Sequence, residues 1–277
     1  MNQEATIVVM SCDAYSDLWH GFFSLKEANW PDCQYDTYLV TNNKKCTEPH
    51  VKTVLCGDET NWTGRLKKCI LALEQQYVIL LLEDYYISAT VSNETVRDVI
   101  DFISSNNVGY YKLETRGTVF PKVYQNTDYR REITPDIRYG ISLVTSIWDR
   151  DFLLETLGDD DYPAWEFEIR RNQLNDITHN TDRLCLCDTR NILNIEHMVQ
   201  RGKYIRSAIR NMDSRGIHID TGKRGKLSAL FDLYHKINTR IKRHKFLREK
   251  LLKAANILGI KSISQKYEEE MKSNRYH

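Results

Sequence analysis

Two adjacent carboxylates, Glu83 and Asp84, close an apolar run in the stretch YVILLLEDYYIS, residues 77–88. An unbroken apolar run bounded by polar residues reads as a strand buried on both faces, as in the middle of a parallel sheet. In open α/β sheets ligands sit beyond the carboxyl ends of the strands. An acidic pair there suits a divalent cation, and through it a phosphate. The plainer reading is that the pair ends the strand and caps a turn. Other carboxylates compete: Asp159, Asp160 and Asp161 in a polar loop, Asp149 and Asp151 where a helix begins, and Asp182 and Asp188 as loop charges.

Other residue types point away from some chemistries. Cys185 and Cys187 are spaced as C-x-C, with no C-x-x-C partner to complete a zinc clamp, and alternation on a strand explains them. His179 and His197 have no ligand partner four residues on and read as structural or surface groups. Neither G-x-x-x-x-G-K-[ST] nor G-x-G-x-x-G occurs, which argues against a P-loop enzyme and a dinucleotide-dependent oxidoreductase.

The elements that must position these groups follow from periodicity. Strands are predicted at 5–10 (ATIVVM), 35–40, 51–55, 78–82, 108–113 and 139–145, with short strands over 183–195. Helices are predicted over 15–30, 61–73, 92–105 and 149–157, and from Pro163 onward, where Pro suits a first turn. Ser92 or Asn93 caps the third helix and Asp149 the fourth. Residues 114–136 read as loop, and helical patterns dominate from His197. The alternation predicts an α/β fold with a mostly parallel sheet flanked by helices.

The 277 residues suffice for one large α/β domain with an appendage, placed at 1–200 and 201–277. No apolar run is long enough to span a membrane, and the first residues read as a strand rather than a signal peptide. Seven scattered cysteines fit reduced thiols in a cytosol. The net charge of +1 conceals a division: residues 201–277 carry 20 Lys and Arg against 7 Asp and Glu, a net of +13, and the remainder nets −12. From Lys223 to Lys253 basic and apolar residues alternate at helical spacing. That reads as a basic amphipathic segment for an anionic membrane surface, or as a helical pair that packs on the domain or forms an oligomer.

The ordered set of a strand ending in Ser11-Cys12-Asp13, a helix holding Trp62 and Arg65, LLLEDYY, SLVTSIWDRDFL and PAWEFE resembles bacterial glycosyltransferases of the GT-A fold, especially those of surface-polysaccharide and lipopolysaccharide synthesis. The resemblance covers roughly residues 5–200 as a judgement of pattern. It implies a nucleotide-sugar donor, most readily a UDP-sugar, and a saccharide or lipid-linked acceptor. It also implies a cytoplasmic location, peripheral to the membrane. The family's Asp-x-Asp falls on Glu83, Asp84 and Tyr85. Asp84 is then the metal ligand for Mn²⁺ or Mg²⁺, and the tyrosine in third place leaves room for a metal-free mode. The segments 159–161 and 149–151 also fit Asp-x-Asp, but a solvated loop and a helix cap explain them. The resemblance puts the general base of an inverting reaction at Glu168, in the W-x-F-E pattern, or at Glu166, and their spacing lets only one face a cleft. The alternative is a pair of first-turn acids on a helix dipole. Donor contacts fall to Ser11, Asp13, Thr41, Asn42, Arg65, Glu83 and Tyr85, and sugar-stacking walls to Trp62 and Trp165, whose commoner fate is core packing. Two other readings compete. A nucleotidyltransferase lacks its Gly-rich basic loop in SCDAYSD. A non-catalytic protein could use the basic tail for membrane or nucleic acid, of which nucleic acid is the less favoured.

Overall fold

A computed structural model describes residues 4–115, 118–134, 137, 140–168 and 182–229. The chain forms two compact units, one of 1–116 with 120–227 and one of 117–119 with 228–277. The basic stretch beyond 229, His179 and most of the helix expected after Pro163 lie outside the described residues. No described helix is long and apolar enough to cross a membrane.

The first unit is built on an eight-stranded sheet in the order β3-β2-β1-β4-β8-β6-β9-β7. Its strands are β1 (Ala5–Met10), β2 (Thr37–Thr41), β3 (Val51–Leu55), β4 (Tyr77–Leu82), β6 (Val108–Lys112), β7 (Arg130–Glu132), β8 (Ser146–Asp149) and β9 (Leu184–Asp188). Beta-1 pairs in parallel with β2 and β4, β2 with β3, and β6 with β9. Only β8 and β7 run against the others. The sheet is mostly parallel, as the alternation of elements predicts.

The apolar runs place β1 and β4 at the centre because such runs need cover on both faces. Val8, Met10, Val40, Val78 and Leu80 share one cluster with Leu66 and Ile70 of α2 (Trp62–Leu71) and Phe152 and Leu153 of α4 (Arg150–Leu157). The alternate residues Ile7, Val9, Leu39, Ile79 and Leu81 are fully buried as well and point to the other face. There α3 (Asn93–Ser105) sets Phe102 edge-on to Tyr111, 6.3 Å between centroids. Ser92 caps α3 by accepting from Thr95 N–H, and Asp149 caps α4 by accepting from Phe152 N–H.

Several expectations need correction. The helix predicted over 15–30 begins as a 3-10 turn, Asp13–Leu18, and becomes α1 only at Trp19–Asn29. The strand expected at 139–145 is instead β8, because Trp148 fills the core at 4.4 Å from Tyr110 and its strand pairs with both β4 and β6. The stretch read as loop after 114 contains β7, which pairs on the sheet edge. Asp188 is no loop charge: it is fully buried at the end of β9, taking bonds from Tyr111 at 2.8 Å and Arg190. Beyond β4 the chain forms β5 (Tyr85–Ile87), which pairs with β10 (Ile195–His197) in a small antiparallel sheet. Past His197 come a hairpin of β11 (Val199–Gln200) and β12 (Lys203–Tyr204) and then the helix Arg206–Ser214, rather than helix alone.

Candidate active site

The chain winds from β1 outward to β2 and β3, then returns to lay β4 on the other flank of β1. The segments leaving the carboxyl ends of β1 and β4 lie side by side, with Tyr86 of β5 donating to Leu18 O at 3.2 Å, at the edge where such sheets take ligands. Ser11 and Cys12 follow β1, and Glu83 and Asp84 follow β4.

Ser11 is 4% exposed; its Oγ accepts from Trp19 Nε1 at 2.8 Å and donates to Cys12 O at 3.4 Å. Glu83 is 8% exposed, and burial, followed by the charge on Asp84, pushes its carboxyl up to about 8. Asp84 is more open. Its Oδ2 lies 3.3 Å from His197 Nε2, and its carbonyl accepts from Met198 N–H at 2.8 Å. Tyr85 is buried, with its ring stacked on His197 at 4.9 Å and 13°. The β5–β10 pairing puts His197 opposite Tyr85. The imidazole read as structural or surface in the sequence thus stands beside the acidic pair. Its only sequence signal was the strand-like IEHMV, which carries no information about the distant partner.

Asp13, Thr41 and Asn42 come together, but on one another. The Asp13 carboxylate accepts from Thr41 Oγ1 at 2.9 Å, Asn43 N–H at 3.1 Å and Lys44 N–H at 3.0 Å. Desolvation opposes the charge there, yet the Lys44, Thr41 and Asn43 donors hold the carboxyl below its ordinary range. Asn42 Oδ1 accepts from Asp13 N–H at 3.3 Å, and its amide donates to Gly57 O at 3.2 Å. These three residues stitch the ends of β1, β2 and β3 into one rim.

Arg65 enters from the first turns of α2. It is 9% exposed, and its Nε is buried without a hydrogen-bond partner. Its charge acts on Cys12 and Cys56, at the ends of β1 and β3, and Cys12 also feels Glu83. A buried guanidinium with an unmet donor is costly unless an anion completes it.

The acidic loop at 159–161 proves to be an anchor for α2 rather than a free loop. Asp161 accepts from Asn61 N–H at 2.7 Å, Gly64 N–H at 2.8 Å and Thr63 Oγ1 at 3.2 Å. Lys67 Nζ donates to the carbonyls of Gly158, Asp159 and Asp160 at 2.8–3.1 Å. Desolvation works against ionisation, but the helix donors outweigh it and lower the Asp161 carboxyl.

Residues 164–168 are helical after Pro163, with Phe167 fully buried in the core and Trp165 49% exposed. Trp62 packs partly buried against the same core. Glu168 acts electrostatically on Lys112, the 3% exposed residue that ends β6. Lys112 Nζ donates to Ser142 Oγ at 3.1 Å. Burial lowers the ammonium pKa, while Cys187, Glu114 and Glu168 act to raise it. With β8 between them, β4 and β6 end about 10 Å apart, two strand spacings, so this cluster shares the carboxyl edge with Glu83 and Asp84. Glu166 flanks Phe167 on the other side and is half-buried.

Among the described residues no three His, Cys, Asp or Glu groups gather as a metal cluster. Asp84 and His197, with Glu83 behind, are the residues here that could hold a divalent cation.

No family model matches the chain. No curated protein matches it. Solved structures with a similar chain course include TarS of S. aureus, at 13% identity and a TM-score of 0.46, over 90% of this chain and 45% of that one. This chain thus spans under half the length of that protein. A shorter form, TarS 1-349 in complex with UDP-GlcNAc, matches at 12% identity and a TM-score of 0.45, over 80% of this chain and 69% of that one. Mannosyltransferase PcManGT from Pyrobaculum calidifontis, in complex with GDP-Man and Mn²⁺, matches at 13% identity and a TM-score of 0.46, over 98% of this chain and 79% of that one.

Proposed function

We propose that this chain is a GT-A-like glycosyltransferase that moves a sugar from a nucleotide donor to a saccharide or lipid-linked saccharide. The observation that carries the reading is at the carboxyl ends of β1 and β4, where an acidic pair ends β4 and a buried guanidinium with an unmet Nε, Arg65, acts with Glu83 on Cys12. A nucleoside diphosphate answers both: its phosphates complete Arg65, and a divalent cation held by Asp84 and His197 would offset the charge of the leaving diphosphate. The rim formed by Ser11, Asp13, Thr41 and Asn42 supplies the nucleoside side, and Glu83 and Tyr85 back the cation position.

Glu168 serves as the base. It takes the proton of the acceptor hydroxyl as that oxygen bonds to the anomeric carbon and the bond to the diphosphate breaks, with inversion. Glu166 is the other candidate. The exposed indole of Trp165 presents an apolar face to an acceptor sugar. The basic segment of 201–277 suits a lipid-linked acceptor at an anionic membrane, each basic residue near the surface contributing about 1 kcal/mol. The proposed role is surface-glycan synthesis on the cytoplasmic side, with a UDP-sugar as donor.

The test is a thermal-shift screen with UDP, GDP, CDP, CMP and ADP, each with Mn²⁺, Mg²⁺ or chelator. Stabilisation by one nucleoside diphosphate, diminished in Arg65→Ala, is the expected result. No response to any nucleotide would overturn the reading and favour a non-catalytic protein with a polyanion-binding tail.

A further inference from the structure

Residues 220–227 cross back onto the turn that follows β1. Gly222 and Gly225, at φ 42° and 64°, bracket the short 3-10 turn Gly222–Arg224 and permit its sharp course. Its C-terminal end is fixed to the hairpin of β11 and β12: Tyr204 N–H donates to Gly225 O at 3.1 Å, and Leu227 N–H donates to Tyr204 O at 2.9 Å. Arg206 Nε adds a bond to Leu227 O at 2.5 Å.

From this segment Arg224 reaches Asp17 with a two-pronged pair, Nε to Oδ2 and Nη2 to Oδ1, both at 2.6 Å. Nη2 also donates to Ala14 O at 2.8 Å, and the guanidinium plane covers the Tyr15 ring at 4.1 Å. The Arg224 side chain is 10% exposed while Asp17 is 51% exposed, so the bridge closes a rim rather than decorating a surface. Tyr15 lies in turn within electrostatic reach of Asp84, Glu83 and Cys12.

We propose that Arg224 is a positioning residue of the donor site: paired with Asp17, it latches residues 220–227 onto the turn after β1 and sets Tyr15 as a side wall of the nucleotide site. The inference rests on the donor site proposed above. A guanidinium is needed because only a planar fork can hold Asp17 by two bonds while stacking on an aromatic ring. Most of its donors are spent on Asp17 and backbone carbonyls, so it acts through the wall it fixes and not on phosphate.

The experiment compares wild type with Asp17→Asn, Arg224→Ala, the double variant and Arg224→Lys. UDP with Mn²⁺, GDP with Mn²⁺ and uridine are titrated by calorimetry, alongside melting of the unliganded proteins. Each single variant is expected to weaken nucleotide binding on the order of tenfold. The double variant should lose no more than the stronger single, because both changes break one pair. Uridine should lose the same factor as UDP, and Arg224→Lys should not restore binding. Unliganded melting temperatures close to wild type separate this loss from unfolding, and Asp17→Asn, on an exposed side chain, keeps the test open if Arg224→Ala folds poorly. Loss in Arg224→Ala with none in Asp17→Asn, or losses that multiply, would overturn the latch in favour of direct contact with the donor. Unchanged affinities in every variant beside a wild type that binds would overturn the latch alone; a wild type that binds neither nucleotide would overturn the donor reading with it.

Discussion

His197 Nε2 lies 3.3 Å from Asp84 Oδ2, brought there by the β5–β10 pairing and held flat by the Tyr85 ring. An imidazole so placed orients the carboxylate and can share a cation with it. Replacing His197 with Ala should weaken Mn²⁺-dependent nucleotide binding by about 10–100-fold. It should leave binding in chelator unchanged. Calorimetric titration of UDP with and without Mn²⁺ measures both, and equal affinities in wild type and variant would remove His197 from the site.

Glu83 makes the ligand-free protein sensitive to alkali. Its carboxyl ionises at about 8 in the folded chain against 4.5 in its ordinary state. Between those values the folded state keeps a proton that the unfolded state has released, so stability falls as pH rises through the window. Glu83→Gln should therefore flatten the pH profile and stabilise the protein by about 1–3 kcal/mol above pH 8. Urea unfolding at pH 5 and pH 9 checks this; a variant as pH-sensitive as wild type would refute it.

Asp161 acts in the opposite sense. Its carboxyl is held below the ordinary 3.8 by the α2 donors, after they overcome desolvation, so its contribution is present above that value and is lost as pH falls through the lowered one. Asp161→Ala should cost about 1–2 kcal/mol at neutral pH, as for a lost helix cap. Chemical denaturation at pH 7 gives the number, and a change within error would show that water replaces the carboxylate.

Glu168→Gln should lower kcat by about 10²–10⁴-fold with little change in donor affinity, as for loss of a general base. Glu166→Gln should change kcat far less. Single-turnover assays with the responding donor separate the two, and the reverse order would transfer the role to Glu166.

The central sheet was legible because its signals are local. The runs of β1 and β4 are apolar without interruption, and Ser92 and Asp149 announce their helices at short range. What was missed depends on partners far along the chain. Beta-8 carries a serine and an aspartate in four residues, and only pairing with both β4 and β6 makes it a strand. The His197 and Arg224 contacts join segments whose own periodicity says nothing of each other. Asp161 looked like one more loop acid because its three donors lie far back in the chain, at the N-cap and first turn of α2.

That same loop bears on how the chain can change. Asp161 grips the helix that delivers Arg65, and the chain continues from it directly into the residues that carry Glu168. The spacing between the charge proposed for the donor and the base proposed for the acceptor is therefore indexed through a single short connector. Inserting or deleting even one residue across 158–163 should disturb both at once, whereas the stretch 47–50 ahead of the edge strand, exposed at Thr47, Pro49 and His50, has room for length variation. Variation in substrate range would then arise by substitution on this connector and by lengthening elsewhere.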